Sequence, residues 1–393
     1  MSGNEIKIGV LATLMGPYAG MGEDAMRGVD LALSEFGSTI AGKRITVLKE
    51  GTNATPDYAQ TMAEVLIRRQ GAEIILGPLS GNEGLAVWEY SASQPNITFV
   101  NGNAAAQQIG LNNTSPNFFS FVTNGVQYSG GLAEYIIENK GYRNIITLGE
   151  DYSYPHAQIG AFTLEFCRGG GHVLRKFWVP LGTSDFSDVI LAFPANIDAI
   201  YVVLAGTDAL NFVEQYHQRG GKKPLVGGSV MNDLVAMNVS GAFTERIVGM
   251  VASGPIADNN PSPAWQNFVQ RYRQMFPRGL TSPSLFANAY YTGLKAILLA
   301  LQLVNGDLSD GQQRFQAALR QLEFESPTGT VRLDQRQQAI ANIFITEVDR
   351  LADGSLYSRL VQTKRGVNQT LGIDEGEFRK IGLFTRDNPA DCP

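Results

Sequence analysis

EIILGPLSGNEG, residues Glu73–Gly84, is the stretch on which the reading of this chain turns. The apolar run Ile74–Leu76 has the composition of a short buried strand, Gly77-Pro78 punctuates it, and the small polar residues that follow open a helix. The first N–H groups of a helix have no intrahelical partner and lie at the positive end of its dipole. Ser80, Gly81 and Asn82 would therefore form a ready carboxylate or phosphate site. Gly-Pro is equally common in an ordinary βα turn. Alone, the stretch reads as a turn, and a second loop must lie beside it before it becomes a site.

The same rhythm extends outward on both sides. Towards the N-terminus, Ile6–Leu11 reads as a buried strand, Gly16–Gly20 as a loop, and Ala25, Val29, Leu33 and Phe36 as the apolar face of a helix. Ile45–Leu48 is a second strand, and Pro56 opens a helix through Arg69. Towards the C-terminus, a helix through Val87 and Tyr90 ends before Pro95. The strand Ile97–Val100 then runs into Asn101–Ala106. After Phe118–Val122 the pattern restarts: helix Tyr128–Asn139, strand Asn144–Leu148, helix Ala157–Cys167 stopped by Gly169–Gly171, strand Val173–Val179, strand Ala199–Leu204, helix Ala209–Arg219 and strand Leu225–Gly227. Ile247–Ala252 precedes a Pro-rich stretch, two helical patterns follow at Ala264–Met275 and Leu285–Val304, and strands Gly329–Leu333 and Ala341–Val348 close the pattern. Near-continuous apolar strands alternating with amphipathic helices predict an α/β fold, a parallel sheet covered on both faces with ligands at the carboxyl ends of its strands. Two such units of similar size are expected, exchanging chain more than once.

The whole-chain numbers agree with that expectation. At 393 residues the chain exceeds the span of one ordinary core. Its 44% hydrophobic and 17% charged residues are globular composition. No apolar run approaches the ~20 residues of a membrane span, so a soluble protein is expected. A net charge of −6 and no basic cluster argue against nucleic acid or an anionic membrane as partner. Cys167 and Cys392 cannot make a zinc site, and His156, His172 and His217 show no ligand spacing, so neither a metal nor a cofactor is expected. The cysteines could bridge a helix to the C-terminal tail in an oxidising compartment, or both could be free. Met1-Ser2-Gly3 leads into the strand at Ile6 without a signal pattern, which fits a cytoplasmic protein or a mature exported one.

Several catalytic signatures fail on inspection. Gly37–Lys43 imitates the start of a phosphate-binding loop, but Arg44 stands where the magnesium-holding hydroxyl belongs, and a helix precedes where a strand is needed. No strand is followed by GxGxxG. GPLSG lacks the GxSxG elbow, and three scattered histidines assemble no triad. Glu150-Asp151 reads as a solvated pair on a loop.

At this point the residues carry a pattern. IKIGVLATLMGPYAGMGEDAMRGVDLAL, the focal ILGPLSG, FVNGNAAA after the next strand, and AIYVVLAGTDALNFVEQ resemble the leucine/isoleucine/valine-binding branch of the type I periplasmic solute-binding proteins, from about Ile6 to about Val348. The resemblance implies two Rossmann-like lobes, 4–122 with 253–329 and 123–252 with 330–393. Three hinge crossovers would join them near Val122–Gly125, Ala252–Pro255 and Thr328–Val331, with the ligand trapped between the lobes.

Carried over by position, Ser80 and Gly81 become one side of a carboxylate site, and Asn103, Ala104 and Ala105 the loop on the other side. Small residues let backbone N–H groups approach an anion closely, so no arginine is needed. Tyr154 matches the second-lobe ligand contact, Met21 and Tyr18 match the floor of the side-chain pocket, and Phe118 and Phe121 lie near it. Phe118, Phe119 and Phe121 could equally serve in hinge and core packing.

Two departures shape the expected ligand. Ser229 stands where amino-acid binders place a glutamate against the ligand ammonium, and an unpaired buried ammonium costs several kcal/mol. Ala205-Gly206-Thr207 replaces an aromatic pair and makes room. Asp208 could supply the missing charge, or cap the helix that follows it. The family's first-lobe disulfide is also absent, its positions falling near Ala54 and Ser80. The expected function is capture of a small carboxylate, an aromatic acid of the benzoate, hydroxybenzoate or phenylpropenoate type, for the permease of an ABC importer. The expected state is a periplasmic, mature, monomeric protein without enzymatic activity. Branched-chain or other amino acid binding, and a cytoplasmic ligand-sensing regulator on the same fold, are the alternatives. A DNA-binding regulator would need a helix-turn-helix that Met1–Glu5 cannot be.

Overall fold

The computed structural model describes residues 4–112, 115–237, 242–388, 390 and 392. The chain divides into two compact units: Met1–Asn124, Ser262–Gly279 and Phe286–Ala341 form the first, and Gly125–Pro261, Leu280–Leu285 and Asn342–Pro393 the second. Among the described residues no helix is long and apolar enough to cross a membrane.

The first unit is built on a six-stranded sheet of β1 (Glu5–Thr13), β2 (Thr39–Ile40), β3 (Lys43–Thr52), β4 (Ile74–Leu76), β5 (Thr98–Val100) and β6 (Phe118–Phe119), in the order β2-β3-β1-β4-β5-β6. All pairings but β2 with β3 are parallel. Parallel strands must be covered on both faces, and β1, β4 and β5 are accordingly buried along almost their whole length. One face meets the helices Pro56–Glu64 and Gly81–Ser91, where Leu11, Ala63, Leu66, Ile75, Val87 and Phe99 form a core cluster. The chain leaves β1 for β3 on one side and then returns to β4 on the other. That reversal is a topological switch point, where the carboxyl ends of adjacent strands splay apart and leave a crevice for ligand. The Glu73–Gly84 turn stands at this point. The stretch that imitated a phosphate loop is the small hairpin between β2 and β3.

The second unit repeats the plan with β7 (Asn144–Glu150), β8 (His172–Val179), β9 (Ala199–Val203), β10 (Leu225–Gly227) and β11 (Val251–Gly254). Its parallel order, β11-β10-β9-β7-β8, places a second switch point at β7. Ile146, Leu148, Ile200, Val202, Phe212 and Val213 are fully buried in its core. The chain then returns to the first unit for the hairpin β12 (Glu323–Ser326) and β13 (Gly329–Leu333). β14 (Ala339–Arg350) runs onward into the second unit, antiparallel to β11, and β15 (Leu356–Val367) pairs with β14.

Some boundaries differ from the sequence expectation. β12 and β15 were not expected. Most of β15 is half-exposed and carries Arg359, Gln362, Lys364 and Arg365, so it shows little apolar alternation. The helix expected over Tyr128–Asn139 is broken at Ser129–Gly131 into Gly125–Tyr128 and Leu132–Tyr135, the latter continuing as one π-turn, Ile136–Lys140. Cys167, near the end of the helix Ser153–Arg168, is disulfide-bonded to Cys392 in the tail, with a Cα–Cα distance of 5.1 Å. Of the two states the sequence allowed for these cysteines, the bridged one is found.

Candidate functional site

The expected site residues divide between the two units, and within each they follow the carboxyl ends of parallel strands. In the first unit Met21 comes after β1, Ser80 and Gly81 after β4, Asn103, Ala104 and Ala105 after β5, and Phe121 after β6. All are buried.

Ser80 is the N-cap of Gly81–Ser91, in extended conformation. Gly77 makes the turn possible: its φ is +130°, and a Cβ there would lie 2.3 Å from the Leu11 carbonyl oxygen, so only glycine fits. The fully buried Glu83 then ties the crevice together. Its Oε2 accepts from Thr13 Oγ1 at 2.8 Å and from the Ser80 N–H at 3.1 Å, and its Oε1 accepts from the Ala54 N–H at 2.9 Å. One carboxylate thereby fixes the end of β1, the loop after β3 and the focal turn. Sequence reasoning missed Glu83, although Ser80-x-x-Glu83 is the spacing of a capping box.

The companion loop is held by Asn101. Its Nδ2 donates to the Ala104 carbonyl at 2.8 Å and to Ser120 Oγ at 3.0 Å, while its Oδ1 accepts the Ala104 N–H at 2.8 Å. The two loops meet closely, since a Cβ on Gly84 would fall 2.1 Å from the Ala104 Cβ. The expected row of backbone donors is therefore narrower than the sequence implied. The Ser80 N–H serves Glu83 and the Ala104 N–H serves Asn101. The Gly81 and Ala105 amides donate no hydrogen bond among the described residues, while the buried Ser80 side chain faces the Glu83 N–H in the capping box. Phe121 packs its ring on Phe324, with centroids 5.8 Å apart, and Phe118 stacks on Phe99 at 6.5 Å.

In the second unit Tyr154, Ala205 and Ser229 follow β7, β9 and β10. Tyr154 Oη and Ser229 Oγ are 3.0 Å apart, and both residues are buried. Burial pushes the Tyr154 phenol well above its ordinary range, the Ser229 hydrogen bond acting the other way, so it stays neutral. Tyr128 and Tyr152 flank it, with ring centroids 6.3 and 6.0 Å away, and neither was singled out from sequence. The Ser229 N–H lies 3.5 Å from Gln158 Oε1.

Two acidic residues are placed differently from their expected roles. Glu150 is not a solvated loop residue. It ends β7, is fully buried, and its Oε1 accepts the Ala205 N–H at 3.1 Å. This carboxylate holds the end of β7 to the N-cap of the helix Gly206–Gln218, and the apolar run before it gave no sign of two further strand residues. The helix expected from Ala209 starts at Gly206, so Asp208 lies within its first turn rather than capping it. Asp208 Oδ2 accepts the Gly182 N–H at 2.7 Å and the Thr183 N–H at 3.2 Å, which commits it to the protein. Burial raises its pKa, with those two backbone bonds opposing the shift. Asp151, the other member of the loop pair, bonds His156 Nε2 at 2.8 Å and Arg386 Nη1 at 2.5 Å.

Geometry and ancestry agree. The Leu/Ile/Val-binding protein homolog 6 of Brucella melitensis is 26% identical over 364 residues, covering 91% of each chain. An ABC transporter substrate-binding protein from Sphaerobacter thermophilus superposes with a TM-score of 0.84 at 28% identity, covering 93% of this chain and 99% of that one. A solute binding protein of an ABC transporter from Rhodopseudomonas palustris BisB5, in complex with 3,4-dihydroxy benzoic acid, superposes with a TM-score of 0.85 at 24% identity over 93% of this chain and 99% of that one. The family model described as periplasmic binding protein matches residues 5–355. This chain belongs to the periplasmic binding protein family, in the type I branch of the Leu/Ile/Val-binding protein homologues.

Proposed function

We propose that the protein is the extracytoplasmic substrate-binding component of an ABC importer and captures a small aromatic carboxylate of the benzoate, hydroxybenzoate or phenylpropenoate type. The observation that carries this reading is the pairing of donors without charge. The Gly81 and Ala105 amides are uncommitted in the first unit, beside the Ser80 hydroxyl, and the polar group contributed by the second is the neutral Tyr154–Ser229 hydroxyl pair. Uncommitted amides and a hydroxyl at the head of a helix suit a carboxylate. Two hydroxyls among tyrosine rings suit an uncharged, aromatic remainder. The Rhodopseudomonas palustris protein that holds 3,4-dihydroxy benzoic acid supports the same ligand class.

Ligand touching residues of both units would favour their closure through the crossovers expected near Val122–Gly125, Ala252–Pro255 and Thr328–Val331. No chemistry on the ligand is involved, and the working form is a monomer delivered to a membrane permease. The Cys167–Cys392 disulfide fits an oxidising, periplasmic setting.

A second reading, branched-chain amino acid binding, is favoured by the name of the Brucella relative. Thermal-shift measurements with 4-hydroxybenzoate and with leucine separate the two. Ligand at about 100 times its Kd adds about 2.7 kcal/mol to the folded state, enough for a clear rise in Tm. A rise with 4-hydroxybenzoate and none with leucine is expected, and the reverse would replace the proposed ligand.

A further inference from the structure

The second unit has another polar cavity, at the opposite ends of its strands from Tyr154, Ala205 and Ser229. It holds about 320 Å³ and is lined by the end of the helix Gly206–Gln218, the loop entering β10 and the residues entering β11. His217, Lys222, Lys223 and Arg246 line it, and no carboxylate does. Lys222 and Lys223 are exposed and form no ion pair among the described residues.

The neighbouring acids make their hydrogen bonds and ion pairs outside the cavity, and Asp198 also feels the charge of Lys223. Glu245 pairs with Arg350 at 3.2 Å, Glu214 accepts from Gln218 Nε2 at 3.1 Å, and Asp198 Oδ2 accepts the amides of Arg143 and Asn144 at 2.8 and 2.7 Å. Arg246 Nη2 lies 2.7 Å from His217 Nε2. A guanidinium only donates, so Nε2 is the acceptor of this contact. His217 therefore anchors the guanidinium without cancelling its charge.

Three cations thus converge on one concavity that no carboxylate lines, in a chain whose net charge is −6. At physiological salt, charges are screened over ~8 Å, so cations around one small cavity act together on whatever enters it. The Arg246 fork can take two oxygens of one group, and the lysines add point charges. We propose that this cavity binds a small multivalent oxyanion of the phosphate or pyrophosphate class, through Lys222, Lys223 and Arg246. The site is separate from the carboxylate site proposed above and does not depend on it.

The test is calorimetric titration of the full chain with pyrophosphate at fixed ionic strength, with amide NMR shifts followed in parallel. Saturable binding is expected, weakened at least tenfold in the K222A/K223A double variant and in Arg246→Lys. Lys222 and Lys223 are exposed, so the double variant should keep the wild-type Tm. The shifts should move at Gly221, Lys222 and Gly249 and stay still at Gly81 and Ala105. Binding no stronger than a chloride-matched control would overturn the proposal, as would equal binding by the variants. Shifts confined to Gly81 and Ala105 would move the anion to the other site. Tighter binding of a hexaglutamate peptide at the same residues would replace the small anion with an acidic protein partner.

Discussion

Tyr154 Oη and Ser229 Oγ lie 3.0 Å apart, joining the residue after β7 to the residue after β10 in one neutral hydroxyl pair. Burial keeps the phenol protonated, and the carboxylates of Glu150 and Asp208 in the same unit hold backbone amides. A ligand meeting this pair encounters donors and acceptors without net charge.

Ser229→Glu should therefore act against an acid and in favour of an amine. The introduced carboxylate is expected to weaken 4-hydroxybenzoate binding at least tenfold, about 1.4 kcal/mol or more, and to improve any response to leucine. Isothermal titration of both ligands reads this directly. Unchanged affinity for the aromatic acid would mean that Ser229 does not line the pocket.

Glu83 offers a test of how the focal turn is held. Glu83→Ala strips the buried Ala54 and Ser80 amides and Thr13 Oγ1 of their common acceptor, at about 1–3 kcal/mol for each group left unsatisfied. Urea unfolding should show a lower midpoint, and ligand affinity should fall because the Ser80 turn loses its support. Glu83→Gln keeps the shape but turns an amide NH2 towards donors, so it should fall between wild type and alanine. An unchanged midpoint for the alanine variant would show that the three bonds carry no stability.

Glu165 gives the protein a pH-dependent stability. Burial pushes its carboxyl up from 4.5 to about 7, against the Gly131 backbone N–H, which pulls it down, and Oε2 is buried without a hydrogen-bond partner. A carboxyl whose folded pKa is raised stabilises the fold while protonated. Its contribution is complete below about 4.5 and is lost as pH rises through about 7, a loss of order 3 kcal/mol. Glu165→Gln should match wild type near pH 4.5 and melt higher than wild type at pH 8. Parallel Tm curves across that range would show that the carboxyl titrates normally.

Much of this architecture was legible because its signals are local. The apolar runs at Ile6, Ile74, Asn144 and Ala199 announced buried parallel strands. Gly77-Pro78 followed by Ser80 and Gly81 announced a turn into a helix, and the residues expected at the site do follow strand carboxyl ends. What stayed hidden depends on partners distant in the chain. Nothing near Asn101 says that its side chain will take the Ala104 amide, and nothing near Glu150 says that the Ala205 amide, 55 residues away, will bury it. Helix starts were placed late at Ala157 and Ala209, past Pro155 and Gly206, although proline is at home in a first helical turn. β15 was hidden for a different reason: its half-exposed surface leaves polar residues on both faces, so no period of two survives.

The Cys167–Cys392 bridge has a topological consequence. It spans 225 positions, and the returns of the chain to the first unit at Ser262–Gly279 and Phe286–Ala341 both fall inside it. The polypeptide is thereby a covalent ring preceded by the long open segment before Cys167, and one protease nick anywhere within the ring leaves a single molecule rather than two fragments. Only a reducing environment would let the tail and the cut ends part, so the oxidation state of the compartment decides whether a damaged copy falls apart or stays whole.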